Sequence, residues 1–167
     1  MSNYDIKLLK ETEENKITFN KEINEPLPNP HFTMCIIGPS MSGKGLTAVN
    51  LFYRSDMLGD IYDYIIYVSP TIDNDTNGAI VRESKKTIVY NDPNDLGKIV
   101  NEIMDLQSLE EGDLLNNKPK ILLIADDCLG YLDSRKSEIN KFISKNRHYS
   151  CSCCFLIQNF KMLNNCL

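Results

Sequence analysis

Two runs, "ILLIA" at residues 121–125 and "CSCCFLI" at residues 151–157, show no alternation of apolar and polar positions. A strand with one wet face alternates, so an unbroken run of this length belongs to a strand buried on both faces. Such strands occur where helices cover both sides of a largely parallel sheet. The remaining pattern supplies the other elements. "FTMCII" is a short apolar strand closed by Gly38, and "KGLTAVNLFYRSD" has helical spacing with Leu46, Val49 and Phe52/Tyr53 on one side. "YDYIIYVSP" is a second strand, "TIDNDTNGA" a polar loop and "KTIVY" a third strand. "DLGKIVNEIMDLQSL" sets Leu96, Ile99/Val100, Ile103 and Leu106 on one helical stripe. "EEGDLLNNKPK" is a loop, and "LDSRKSEINKFISKNRHYS" is a helix that breaks near Asn146. Strands alternating with helices in this order predict an α/β fold, with the core beginning at His31.

Residues 1–24 form a polar arm, and the Pro-rich "EPLPNP" connects it to one domain over residues 25–167. The formal charge of −5 argues against non-specific wrapping of nucleic acid, so DNA contact would need a local basic patch or an oligomer. Apolar stretches are too short for a membrane span and the first residues lack a signal-peptide core, which predicts an intracellular protein with reduced cysteines. "CSCC" at 151–154 does not have the turn-borne C-x₂₋₄-C spacing of zinc sites, and it continues into buried-strand composition. It reads as a core strand.

In open parallel sheets, ligands bind beyond the carboxyl ends of the strands. The residues at those ends are Gly38–Gly45, Ser69–Pro70, Asn91–Asp92, Asp126–Asp127 and Gln158–Asn159. The first group has the pattern G-x-x-x-x-G-K between a strand and a helix, the context in which loop amides and a helix N-terminus cradle phosphates. Gly38, Pro39, Ser40, Met41, Ser42, Gly43, Lys44, Gly45 and Leu46 are the predicted nucleotide-binding residues, with Lys44 supplying the charge to the phosphates. Gly45 stands where a Ser or Thr hydroxyl would hold Mg²⁺. Thr47 is two helical positions on, about 200° around the axis, and points away. Water at the vacated ligand position is the simplest expectation, because Mg²⁺ keeps several waters.

"ILLIADDC" has the form of a Walker B segment. Asp126 would hold Mg²⁺ and Asp127 would orient and polarise the attacking water. Gln158, at the tip of the last strand, can hydrogen-bond a γ-phosphate and that water. Arg147 in "KNRHYS" is the first choice for an arginine finger acting in trans. Lys136, Lys141, Lys145 and Arg147 form the only local basic stretch, either a solvated helix face or a nucleic-acid-facing surface.

The ordered set "PLPNPHFTMCIIGPSMSGKG", "YIIYVSPT", "ILLIADDCLG" and "NRHYSCSCCFLIQNF" resembles the genome-packaging ATPases of large DNA viruses and virophages, within the FtsK–HerA superfamily, over residues 26 to about 162. The resemblance implies a P-loop NTPase of the RecA/ASCE-like type, a three-layer sandwich around a mostly parallel sheet. It implies an ATP- and Mg²⁺-dependent motor that moves double-stranded viral DNA into a preformed capsid. Its partners would be capsid proteins and copies of itself in a ring, expected to be a hexamer, with no membrane span. Its place would be the host cytoplasm or virus factory, or the virion. By position, Lys44 binds phosphate, Asp126 handles magnesium, Asp127 activates water, Gln158 is the polar sensor and Arg147 falls in the R-H pair. The family's chains generally continue further beyond the sensor strand. The expectation here is therefore a sheet shortened at its C-terminal end, by truncation or as a minimal variant.

Two other classes compete. A non-hydrolysing nucleotide-binding assembly protein is motivated by Gly45. A small-molecule kinase is disfavoured because such enzymes carry an Arg-rich lid and this chain has no Arg cluster.

Overall fold

The computed structural model describes residues 27–75, 77–108, 118–128 and 138–159. The arm expected over residues 1–24, Lys136 and most of the loop preceding "ILLIA" lie outside them. Five strands, β1 (Thr33–Ile37), β2 (Tyr64–Val68), β3 (Thr87–Tyr90), β4 (Ile121–Asp126) and β5 (Cys151–Ile157), form one sheet in the order β1-β5-β4-β2-β3. Every pairing is parallel. The helices are α1 (Lys44–Tyr53), α2 (Gly78–Glu83), α3 (Leu96–Ser108) and α4 (Glu138–Lys145).

Handedness explains the layering. The chain moves from β1 to β2 to β3 toward one edge, then returns through β4 to β5. Right-handed crossovers place helices on opposite faces for opposite directions of travel. Accordingly Ala48, Val49 and Phe52 of α1 and Val81 of α2 pack with Ile65, Tyr67, Leu122, Ile124, Cys154 and Leu156 on one face. Ile99, Val100 and Ile103 of α3 and Ile139 and Phe142 of α4 pack with Ile66, Val68, Leu123, Ala125, Cys153 and Phe155 on the other. The predicted three-layer α/β fold is the observed one.

The unbroken runs are two of the three inner strands, β5 and β4, paired with each other. All six residues of β4 and all seven of β5 are buried. Each fully buried Leu or Ile contributes about 1.5–3 kcal/mol relative to exposure. The cysteines of "CSCC" alternate as a strand requires, with Cys151 and Cys153 in one core and Cys154 in the other. Strand β1 pairs only with β5, and Thr33, Cys35 and Ile37 are exposed along it.

Three local expectations need correction. The polar loop "TIDNDTNGA" contains a 3₁₀ turn at Ile72–Asn74 and the start of α2, a six-residue helix anchored by buried Val81. Leu106 does not join the α3 stripe: it is 55 % exposed, and Gln107 is buried in its place. Gln107 donates Nε2 to the Pro119 carbonyl at 2.8 Å, so the last turn of α3 rotates a polar tether, rather than an apolar side chain, toward the entry of β4. Leu46 is likewise exposed, while Ala48 takes the buried position on α1. Among the described residues, no helix is long and apolar enough to cross a membrane.

Candidate nucleotide site

The Gly-rich loop leaves β1 at the carboxyl edge of the sheet and enters α1 at Lys44. Two residues give it its shape: Met41 at φ 62° and Gly43 at φ 88°. Left-handed residues interspersed in a turn direct successive backbone N–H groups into one concavity, the anion-binding nest of phosphate loops. Gly43 takes a conformation that costs an L side chain roughly 1–2 kcal/mol. Gly38 anchors the loop by donating its N–H to the Ile157 carbonyl at 3.1 Å, which ties the loop to the tip of β5. Lys44 Nζ donates to the Pro39 carbonyl at 3.2 Å, folding the ammonium over its own loop. Thr47 Oγ1 donates back to the Gly43 carbonyl at 3.0 Å and is exposed, turned away as expected.

A cavity of about 630 Å³ opens at this edge. From the loop it is lined by Ser40, Met41, Gly43, Lys44, Gly45 and Leu46; Gly38, Pro39 and Ser42 do not line it. Opposite stand Asp126 and Asp127. Thr71, Asn74, Asp75 and Asn77, from the turn after β2, complete the wall. Of the other strand-end positions, Ser69–Pro70 and Asn91–Asp92 stay out of it. Ser69 is buried and its N–H donates to the Tyr90 carbonyl, while the Asp92 side chain caps the turn at Pro93–Asp95.

The acidic pair divides in environment. Asp126 ends β4 with only 9 % exposure, and Tyr67 donates its hydroxyl to Asp126 Oδ2 at 3.1 Å. Burial first, then the charge of Asp127, pushes the Asp126 carboxyl up to about 6, against the Tyr67 hydrogen bond and the more distant Lys44 charge. Asp127 follows in the left-handed region at φ 53°, which Asp tolerates better than most residues, and its N–H still pairs with the Leu156 carbonyl. This twist at the strand end brings its carboxylate to Gln158, whose Nε2 donates to Asp127 Oδ2 at 2.9 Å. The second oxygen, Oδ1, is buried without a hydrogen-bond partner. A buried acceptor left without a donor costs about 1–3 kcal/mol and calls for a ligand, water or ion. That orphan oxygen, beside a buried carboxylate at the edge of a cavity, fits a hydrated divalent cation with its phosphates. Among the described residues no three His, Cys, Asp or Glu side chains form a metal cage, and Mg²⁺ does not need one: one or two carboxylates, waters and phosphate oxygens hold it.

The structure thus brings Lys44, Asp126, Asp127 and Gln158 to one sheet edge. It places Arg147 elsewhere. Arg147 lies in the 3₁₀ turn Asn146–Tyr149 before β5, at the amino edge of the sheet. The seven residues of β5 separate it from Gln158 by roughly 20 Å at about 3.3 Å per residue. Within one subunit it does not reach the cavity. Sequence reasoning missed Tyr67 and the wall of Thr71, Asn74, Asp75 and Asn77. Tyr67 sits inside an apolar strand with no local sign of its role, whereas the run "DNDTN" after a strand end was a signal available to find Asp75.

A family model for the Poxvirus A32 protein matches residues 18–166. The chain belongs to that family. The resemblance to viral packaging ATPases read from the motifs therefore holds at the family level. No curated protein matches the chain. Among solved structures, the genome packaging NTPase B204 from Sulfolobus turreted icosahedral virus 2 in complex with AMPPCP superposes with a TM-score of 0.52 at 15% identity, covering 79% of this chain and 67% of that one. Its complex with ATP-gammaS gives 0.52 at 18% identity, covering 80% and 67%. EccC of Thermomonospora curvata (ATPases 2 and 3) gives 0.51 at 11% identity, over 77% of this chain. The chain spans about a quarter of that EccC chain. At these identities the likeness establishes the shared fold, that of P-loop ATPases.

Proposed function

We propose that this family member is an ATP-hydrolysing motor of viral genome packaging, moving double-stranded DNA into a preformed capsid. The observation that carries the reading is Asp127, hydrogen-bonded to Gln158 and lining one cavity with the Gly-rich loop and Asp126. Family membership and the nucleotide complexes of B204 support it.

In this reading Lys44 leaves the Pro39 carbonyl and binds the phosphates, and the loop amides cradle them. Asp126 would hold Mg²⁺, which when bound would supply neutralisation of the phosphate charge. Gln158 and Asp127 hold the attacking water. The Asp127 carboxylate accepts its proton as the water oxygen bonds to the γ-phosphorus, and the bond to the ADP oxygen breaks. Arg147 would act on the site of a neighbouring subunit in a ring, with six subunits as the starting hypothesis. Such a motor would work with capsid proteins in the virus factory.

The test is phosphate release by the full chain with and without double-stranded DNA. The expected result is Mg²⁺-dependent ATP hydrolysis, stimulated by DNA and lost in Lys44→Ala and Asp127→Asn. Hydrolysis indifferent to both substitutions would falsify the reading. Tight nucleotide binding with no phosphate release would favour the assembly-protein alternative instead.

A further inference from the structure

The hydroxyl position missing at Gly45 is bordered by polar side chains. A Cβ built on Gly45 would stand 3.3 Å from Asp75 Oδ2 and 3.6 Å from Asn77 Nδ2. A side chain there would press on that carboxylate, which would have to give by a few tenths of an ångström. The carboxylate of Asp75 thus stands directly beside the place that a side chain on Gly45 would take.

Asp75 is held in place by its surroundings. Its Oδ1 accepts from the Asn77 N–H at 2.9 Å and from Asn77 Nδ2 at 3.2 Å, while Oδ2 is the oxygen toward Gly45. Its N–H donates to the Ile72 carbonyl, and its own carbonyl accepts from Gly78 at the start of α2. Ile72 is buried beneath the turn. Asp73 pairs with Arg82 of α2 and accepts from Asn91 at 3.0 Å. Asp75 lines the same cavity as Lys44, Asp126 and Asp127, and its charge raises the affinity of Asp126 for a proton.

We propose that Asp75 replaces the missing hydroxyl of the phosphate loop, its carboxylate serving as an oxygen ligand on the magnesium side of the nucleotide site. The proposal rests on the reading of that loop as a nucleotide site. Magnesium prefers hard oxygen ligands, and a carboxylate meets this demand with a full charge where a hydroxyl has none. The exchange has two consequences that a merely structural Asp75 does not share. With metal present, the carboxylate strengthens the metal–nucleotide complex. With metal absent, it repels the phosphates, so nucleotide binding depends more steeply on the cation.

The test uses the full chain, with ATPγS binding measured by calorimetry in Mg²⁺ and in EDTA, and Mn²⁺ binding to the ATPγS complex measured by electron paramagnetic resonance. Asp75→Asn keeps the Oδ1 acceptor of the turn and removes the charge. Expected are an at least ~10-fold loss of Mn²⁺ affinity and tighter ATPγS binding in EDTA than in the unsubstituted protein. In an Asp75→Ala background, Gly45→Ser should restore Mn²⁺ affinity, because the serine then has room for its hydroxyl. Unchanged Mn²⁺ affinity and an unchanged Mg²⁺/EDTA ratio in Asp75→Asn overturn the proposal. So does a failure of Gly45→Ser to improve Mn²⁺ binding over Asp75→Ala. Lys44→Ala is the separate control: if it binds ATPγS as tightly as the unsubstituted protein, the nucleotide-site reading itself fails.

Discussion

The two edges of the sheet use the same backbone device to opposite ends. Each carries two non-glycine residues in the left-handed region: Met41 and Asp127 at the carboxyl edge, His31 and Ser150 at the amino edge. At the amino edge the backbone groups of these residues are paired off. The His31 N–H donates to Ser152 Oγ at 2.8 Å, buried Asn146 donates Nδ2 to the carbonyls of His31 and Phe32, and the Ser150 N–H donates to the Arg147 carbonyl. At the carboxyl edge the same twists surround a cavity, with Asp127 Oδ1 left without a partner. Strain whose backbone groups are paired closes a structure; strain around an open cavity, with a carboxylate oxygen left over, keeps a site ready for a ligand.

Substitutions at the two edges should separate function from stability. At the carboxyl edge, Lys44→Ala and Asp127→Asn should each lower the hydrolysis rate about 10²–10³-fold, as losing a charge-stabilising or base group does. Thermal melting should scarcely move, since Asn tolerates the φ of position 127 and Lys44 gives up only an exposed hydrogen bond to its own loop. A loss of folding in Asp127→Asn would blur the contrast between the edges. At the amino edge, Asn146→Ala removes a buried amide from two carbonyls. It should cost about 1–3 kcal/mol in urea unfolding, while nucleotide affinity of the folded protein stays unchanged; a selective loss of affinity would break the comparison.

Tyr67→Phe tests a residue that belongs to both worlds, buried in the core yet hydrogen-bonded to Asp126. It should weaken Mg²⁺–nucleotide binding by roughly ten- to hundredfold, of the order of one hydrogen bond to a charged group, with less change in EDTA. Equal changes under both conditions would assign Tyr67 to packing alone.

The smallest expected effect is a pH dependence. Burial, then the charges of Lys120 and Arg147, lowers the His31 pKa from 6.5. The unfolded chain therefore binds a proton more readily than the folded one. The neutral imidazole's contribution is fully present above pH 6.5 and is lost as pH falls through the lower folded value. His31→Asn, which tolerates the left-handed backbone, should flatten this part of the stability profile. An unchanged slope would move the acid sensitivity to other groups.

Much of the molecule was legible locally. The runs "ILLIA" and "CSCCFLI" announced strands buried on both faces because apolar periodicity is a property of consecutive residues. The phosphate loop, Asp126–Asp127 and Gln158 were legible because a parallel sheet presents strand ends at one edge, so position along the strand is position in the site. Helix α2 was missed because six residues give too little periodicity, and Leu106 was misplaced because Gln107 answers to the Pro119 carbonyl twelve residues away.

Sequence alone, then, determined the fold class, the loop and the three strand-end polar groups, since each is written in a contiguous stretch. Only the tertiary structure decided the strand order, which sets β5 between β1 and β4 and brings Gln158 to Asp127. It also decided that Arg147 lies at the far edge, that Tyr67 donates to Asp126, and that Asp75 borders the space beside Gly45. These are contacts between residues 30 to 60 positions apart. No local periodicity encodes them, because they arise only when crossovers stack distant segments side by side.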